Sequence, residues 1–169
     1  VWRPYAFDEN DQGLSPLDYW QSLWKDYQLA ENIELYKATD TGPAYESADV
    51  SDNAYIDGML ADKVIKDLKQ LKASGKPFLL TAGFIAPHLP FNAPTKYWDM
   101  YDRKEITQPH NNFVPKNAPK ISISRWGEMR AYTGIPKKGG VSDKTAISLI
   151  HGYYATVSYV DALIGKIIA

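Results

Sequence analysis

The 169-residue chain contains no cysteine. That absence removes disulfide cross-links, thiolate metal sites and a cysteine nucleophile, and leaves the redox compartment open. The chain has almost no net charge: 19 Lys and Arg against 20 Asp and Glu give −1. No global field therefore selects nucleic acid or an anionic membrane, and nucleic acid is not expected as a partner. No run approaches the roughly 20 apolar residues of a membrane helix, so no membrane span is expected. Internal repeats and low-complexity tracts are also missing, which leaves solenoid and disordered-linker architectures without support.

With a hydrophobic content of 44%, a chain of this length can bury one core, and one domain is the expectation. Twelve tyrosines and five tryptophans suit carbohydrate-handling surfaces and ordinary cores alike, so they do not by themselves define a sugar ligand. Val1-Trp2-Arg3-Pro4 has neither an initiator methionine nor a signal-peptide layout, and the apolar pattern from Asp161 runs to Ala169 without glycine or proline closure. Both features lead us to expect an internal fragment of a longer protein.

Four stretches follow from the pattern. Residues 1–47 read as an irregular covering segment, with a short helix over Leu17–Trp24 after Ser15. Residues 48–105 hold a helix, a buried strand and a histidine loop. In the helix, Val50, Ala54, Leu60, Ala61, Val64, Ile65, Leu68 and Leu71 recur three or four apart, and Gly75 marks its end. Thr95–Tyr101 reads as a further short helix. Residues 106–141 form a long proline-rich loop, and 142–169 a long helix beginning at Ser142 or Asp143, either of which can cap it.

Phe78–Phe84 is a near-continuous apolar run, the pattern of a strand covered on both faces in a parallel sheet. It leads directly to His88, braced by Pro87 and Pro90. In open α/β sheets ligands gather beyond the carboxyl ends of strands, so His88 is the candidate catalytic and substrate-binding residue. The competing account is a histidine that hydrogen-bonds within a proline-rich turn. Lys96, just beyond it, is a candidate substrate contact; Lys76 marks the exposed entrance to the strand. His110 reads as surface polar structure and His151 as a packing or capping group. Asp52 and Asp57, five apart on a helix, do not lie side by side and read as solvated positions, so no metal ligand is assigned. Tyr97, Trp98 and Tyr101 suit a pocket rim or packing, and Tyr153, Tyr154, Val157, Tyr159 and Val160 suit burial against a sheet.

The order of motifs is Asp52-x-x-x-x-Asp57-Gly58, Lys76-Pro77-Phe78-Leu79-Leu80, Gly83-Phe84-x-x-Pro87-His88-x-Pro90-Phe91, Pro94-x-x-Tyr97-Trp98-x-x-Tyr101, and finally His151-Gly152-Tyr153-Tyr154-Ala155-x-Val157-Ser158-Tyr159-Val160-Asp161-x-x-x-Gly165-Lys166. Together they resemble the middle of a type I sulfatase, in the iduronate-2-sulfatase-like branch of the alkaline phosphatase superfamily, most strongly over Ala48–Tyr101 and Leu149–Lys166. The resemblance implies an α/β fold: part of an alkaline-phosphatase-like sandwich, a central mostly parallel sheet flanked by helices, with a long irregular loop. It implies a sulfuric ester hydrolase acting on sulfated small molecules or glycans. His88 would face the sulfate and the leaving oxygen. Asp161 would bind neighbouring groups and Gly165 would permit close helix packing.

The resemblance also implies a formylglycine nucleophile and calcium, but the segments that carry them in the family have no counterpart here. The fragment is therefore expected to be inactive by itself and to hold no cofactor. A periplasmic or secreted location is the family's implication, and self-association through exposed apolar edges is a further expectation. Two alternatives stay open: a phosphodiesterase or phosphonate hydrolase of the same superfamily, and a non-catalytic binding module on the same scaffold.

Overall fold

The computed structural model describes residues 27–123 and 127–169. The helix expected over 17–24 lies outside the described residues. Helix α1 (Ala30–Thr39) buries none of its residues and ends at Asp40 in the left-handed region, φ 54°. Strand β1 (Tyr45–Ala48) follows, with Glu46 and Ala48 turned inward. The segment expected to be irregular up to residue 47 thus contains a helix and most of a strand. A buried carboxylate organises it. Glu46 accepts from the Gln28 and Leu29 backbone N–H groups at 2.7 and 3.1 Å, from the Asn32 side-chain amide at 2.7 Å and from the Tyr55 hydroxyl at 2.8 Å. Four donors make burial of the charge tolerable, and they tie the start of α1 to β1 and to the next helix.

That helix, α2 (Ile56–Ala73), starts later than its apolar pattern suggests. Asp52–Ala54 form a 3₁₀ turn and Tyr55 is extended. Its first half buries Ile56, Asp57, Gly58, Leu60, Ala61 and Val64, and it stops where Gly75 takes φ +65°. Strand β2 (Phe91–Pro94) pairs in parallel with β1, in the register Tyr45↔Phe91, Glu46↔Asn92, Ser47↔Ala93 and Ala48↔Pro94. A parallel pair requires a crossover, and α2 supplies it. The one-turn helix α3 (Thr95–Trp98) continues directly from β2, its Thr95 hydroxyl 3.0 Å from that of Ser47.

Helix α4 (Asp143–Ile168) begins at the Ser142 cap, whose hydroxyl accepts from the Thr145 N–H at 3.2 Å. It lies across β2 and packs on α2 and α3. The main core gathers Ala48, Tyr55, Ala61, Ala93, Tyr97, Trp98, Ala155, Tyr159 and Leu163; a second cluster holds Ala44, Tyr132, Ile135 and Leu149. The architecture is mixed α/β, a small parallel sheet flanked by helices, consistent with part of an alkaline-phosphatase-like fold. Among the described residues, 106–141 are irregular chain with short 3₁₀ turns and one isolated parallel bridge, Thr133 to Pro43.

Four expectations are corrected. Phe78–Phe84 forms no ladder, and Phe78 and Leu79 are 48% and 90% exposed. No described strand runs beside this segment, so its backbone has no ladder to join; of its side chains only Leu80 and Phe84 are half-buried, Phe84 against the main core. Close helix packing falls at Gly58 and Gly152 rather than Gly165. A Cβ on Gly58 would lie 1.9 Å from the Asp52 carbonyl oxygen, and one on Gly152 would lie 2.9 Å from Phe91 Cβ and Trp98 Cη2, whereas at Gly165 it meets nothing within 4 Å. Asp161 is exposed. Of the tyrosine-rich face, Tyr159 is buried while Tyr153, Tyr154 and Val157 remain exposed.

Candidate active site around His88

His88 sits at the end of a short turn. Its backbone N–H donates to the Ile85 carbonyl at 2.9 Å, and both Ala86–Pro87 and Leu89–Pro90 are cis. The turn is anchored from α2: Asp57 Oδ1 accepts the Ile85 N–H at 2.9 Å and Oδ2 accepts the Ala86 N–H at 2.8 Å. After Pro90, the Phe91 N–H donates to the Ala44 carbonyl at 2.8 Å, which fastens the far end of the segment to the sheet.

The imidazole is 59% exposed and lies at a cleft of about 30 Å³ that Tyr55, Asp57, Leu89, Asn92 and Tyr159 help to line. His88 Nδ1 is 2.7 Å from the Leu89 carbonyl oxygen. A carbonyl can only accept, so this contact assigns the proton to Nδ1 and leaves Nε2 as the outward atom. Nε2 faces Glu128 Oε1 at 3.4 Å, an attraction that requires Nε2 to be protonated.

Asp57 is only 6% exposed. Burial raises its pKa above the ordinary carboxylate value, and the bonds from Ile85 and Ala86 pull it part of the way back. The sequence reading of Asp57 as a solvated position is therefore corrected. The signal was present: Asp57 shares the 3–4–7 spacing of Leu60, Ala61 and Val64, which puts it on the buried stripe of α2. Glu128 lies in the long loop, where no periodicity could have indicated it.

Lys96 lies at the start of α3 and is paired rather than free. Its Nζ is 2.7 Å from Asp52 Oδ1 and 4.9 Å from the centre of the Tyr97 ring. The Asp52 hydrogen bond is the main reason the lysine pKa is raised. The Tyr97 hydroxyl donates to the same Asp52 oxygen at 3.0 Å, and Tyr159 donates to the Asp52 backbone carbonyl at 2.6 Å. Lys96 does not line the cleft at His88. Tyr97 and Trp98 are buried, which answers the choice between rim and packing in favour of packing. His151 packs edge-on to Trp98 with its Nε2 2.8 Å from the Trp98 carbonyl, and His110 is exposed, both as expected.

Among the described residues, no three His, Asp or Glu side chains converge as metal ligands. These residues do not fit a calcium site on their own, and no chemical step is assigned through one. Among them too, no helix is long and apolar enough to cross a membrane.

A parallel strand pair crossed by helix α2, with a histidine turn leading into its second strand, belongs to a known class: the Sulfatase family profile matches residues 6–169, and the chain is a member of that family. Within the family it is 26% identical to the iduronate 2-sulfatase of Mus musculus over 128 residues, 72% of this chain and 23% of that protein. It is 27% identical to the choline-sulfatase of Rhizobium meliloti over 95 residues, 56% of this chain and 18% of that protein. A sulfatase of Formosa agariphila is 25% identical over 170 residues, 96% of this chain and 32% of that protein. The chain thus spans about a quarter of the length of the iduronate sulfatase it resembles.

Proposed function

We propose that the protein to which this chain belongs hydrolyses sulfate esters, and that His88 acts on the leaving-group side. The observation that carries the proposal is the half-exposed imidazole of His88 at the edge of a cleft, on a turn fixed from two sides, within a chain of the Sulfatase family. In hydrolysis the S–O bond to the alcohol breaks and the departing oxygen takes up negative charge. A proton on Nε2 can pass to that oxygen, and over the whole reaction one water is consumed to give free alcohol and sulfate. A positioned general acid commonly contributes about 10²–10⁴-fold. Lys96, outside that cleft and paired with Asp52, is proposed only as a more distant substrate contact.

The substrate class proposed is a sulfated carbohydrate. Similarity to an iduronate 2-sulfatase supports it, while similarity to a choline-sulfatase makes a small sulfated alcohol the competing outcome. Formylglycine and calcium belong to the same proposal, supplied by residues outside this chain, and the chain alone is proposed to be inactive. A periplasmic or secreted location is proposed on the family resemblance. We further propose that the isolated chain self-associates through its exposed apolar residues, Phe78 and Leu79 among them.

The test is turnover of aryl, sugar and choline sulfates by the full-length protein, matured with a formylglycine-generating system, beside His88→Ala. Loss of about 10²–10⁴-fold in kcat for the variant is the expected result. Turnover of phosphate diesters or phosphonates in place of sulfates transfers the site to the other branch of the superfamily, and no turnover of either supports a binding module. Unchanged turnover in His88→Ala removes the imidazole from the reaction.

A further inference from the structure

We propose that Asp57 is a positioning residue for His88, a two-pronged carboxylate clamp that sets where the imidazole stands. The proposal rests on the catalytic reading of His88 given above. Each carboxylate oxygen takes one backbone N–H, from Ile85 at 2.9 Å and from Ala86 at 2.8 Å. These are the first two residues of the turn that the His88 N–H closes onto the Ile85 carbonyl. Two N–H groups on adjacent residues, both held by one rigid planar group, fix the position and the rotation of the peptide plane between them. His88 follows two residues later, across a proline with no N–H of its own to place.

The clamp is itself immobilised. Asp57 lies in the first turn of α2, and its neighbour Gly58 has no room for a side chain against the Asp52 carbonyl and the Tyr159 hydroxyl. Tyr159 in turn donates to that Asp52 carbonyl, so α4 holds the start of α2 in place. A chain of contacts thus runs from α4 through the Asp52 carbonyl to the start of α2, and from Asp57 through two amides to the histidine turn. The carboxylate is worth burying because its two oxygens match two donors that would otherwise lie unpaired beside the cleft. A serine or asparagine could satisfy one of them; only a carboxylate accepts at both prongs.

Misplacement of a reacting group by about 1 Å can cost on the order of 10²-fold in rate. Asp57→Asn retains the shape and one acceptor but turns an amide NH₂ toward the second N–H. The full-length protein, matured as above and labelled with ¹⁵N at Ile, Ala and His and with ¹³C at Asp, separates positioning from simple structural support. In the unmodified protein, couplings across the hydrogen bonds from the Ile85 and Ala86 nitrogens to the Asp57 carboxyl carbon are expected, and their absence overturns the clamp. In Asp57→Asn, amide exchange at Ile85 and Ala86 should quicken by about tenfold or more while Ala61 and Leu163 keep their protection.

The ring nitrogens of His88 should then shift toward a mixture of tautomers. The same variant should lose roughly 10- to 100-fold in kcat with KM little changed, and Asp57→Ala should lose more. Asp62→Asn, farther along the same helix, serves as the control expected to behave as the parent. Unchanged exchange and unchanged His88 ring shifts in Asp57→Asn overturn the proposal whatever the turnover. Turnover indifferent to His88→Ala, with exchange still quickened in Asp57→Asn, instead overturns the catalytic reading of His88 and leaves the clamp as a purely structural feature.

Discussion

Residues 77–84 and 85–94 are neighbours in sequence and opposites in structure. The first is the more hydrophobic, yet Leu79 is 90% exposed and the segment joins no ladder. The second contains three prolines, a histidine and an asparagine, yet it is held by Asp57 at one end, by the Ala44 carbonyl at Phe91, and by parallel pairing from Phe91 to Pro94. Apolar character supplies a driving force for burial but no direction. Hydrogen-bond partners at fixed positions supply the direction.

The contrast can be broken from its strongest side first. Leu163→Ala, which empties a fully buried site in the main core that includes Ala93 of the second segment, should cost about 2–5 kcal/mol in urea unfolding. Gly58→Ala should cost about 1–3 kcal/mol, because the new methyl meets backbone rather than a flexible side chain. If either proves neutral, the ordered half is not held by the core described here. By the same logic Leu79→Ala should change stability by less than about 0.5 kcal/mol, and a larger loss would show that residues 77–84 are covered after all. Leu79→Lys should also lower self-association of the isolated chain, as read by light scattering.

The acid limb sharpens the comparison further. The folded pKa of Asp57 is raised, so the folded state holds its proton more tightly than the unfolded chain does. The stabilisation from this group is therefore fully present below the ordinary carboxylate pKa. It is lost as pH rises through the folded value. Asp57→Asn should remove that part of the pH dependence, seen as a flatter profile of urea midpoint against pH across the mildly acid range. A variant as steep as the parent would assign the slope to other carboxylates. The smallest effect is expected at the exposed Lys166–Asp62 pair, where Asp62→Asn should move stability by no more than about 1 kcal/mol.

Much of the helical structure was legible because local signals agreed. The stripe of Leu60, Ala61 and Val64 marks α2, Gly75 marks its end, and Ser142 caps α4. The two strands were not legible. Tyr45–Ala48 turns a glutamate inward, and Phe91–Pro94 carries an asparagine and a proline, so neither shows the alternation or β-branched content that marks a strand. Glu46 is buried only because Gln28, Leu29 and Asn32 at the start of α1 and Tyr55 before α2 converge on it, and no local pattern encodes such convergence. At the site His88 was visible from its proline frame, while Glu128, forty residues away in a loop without periodicity, was not.

The amino-acid sequence by itself determined the α/β class, the presence of the two long helices and the family, and singled out His88 as a candidate, since each rests on residues close together in the chain or on motifs in a fixed order. Tertiary structure alone decided that Asp57 is buried, that Lys96 is occupied by Asp52, that Gly58 and Gly152 rather than Gly165 carry the close packing, and that the apolar run before the histidine joins no sheet. Those outcomes depend on which distant donor, carbonyl or strand arrives beside a residue. A side chain's environment is a property of the neighbours the fold delivers, and its own chemistry fixes only what it can do once they are there.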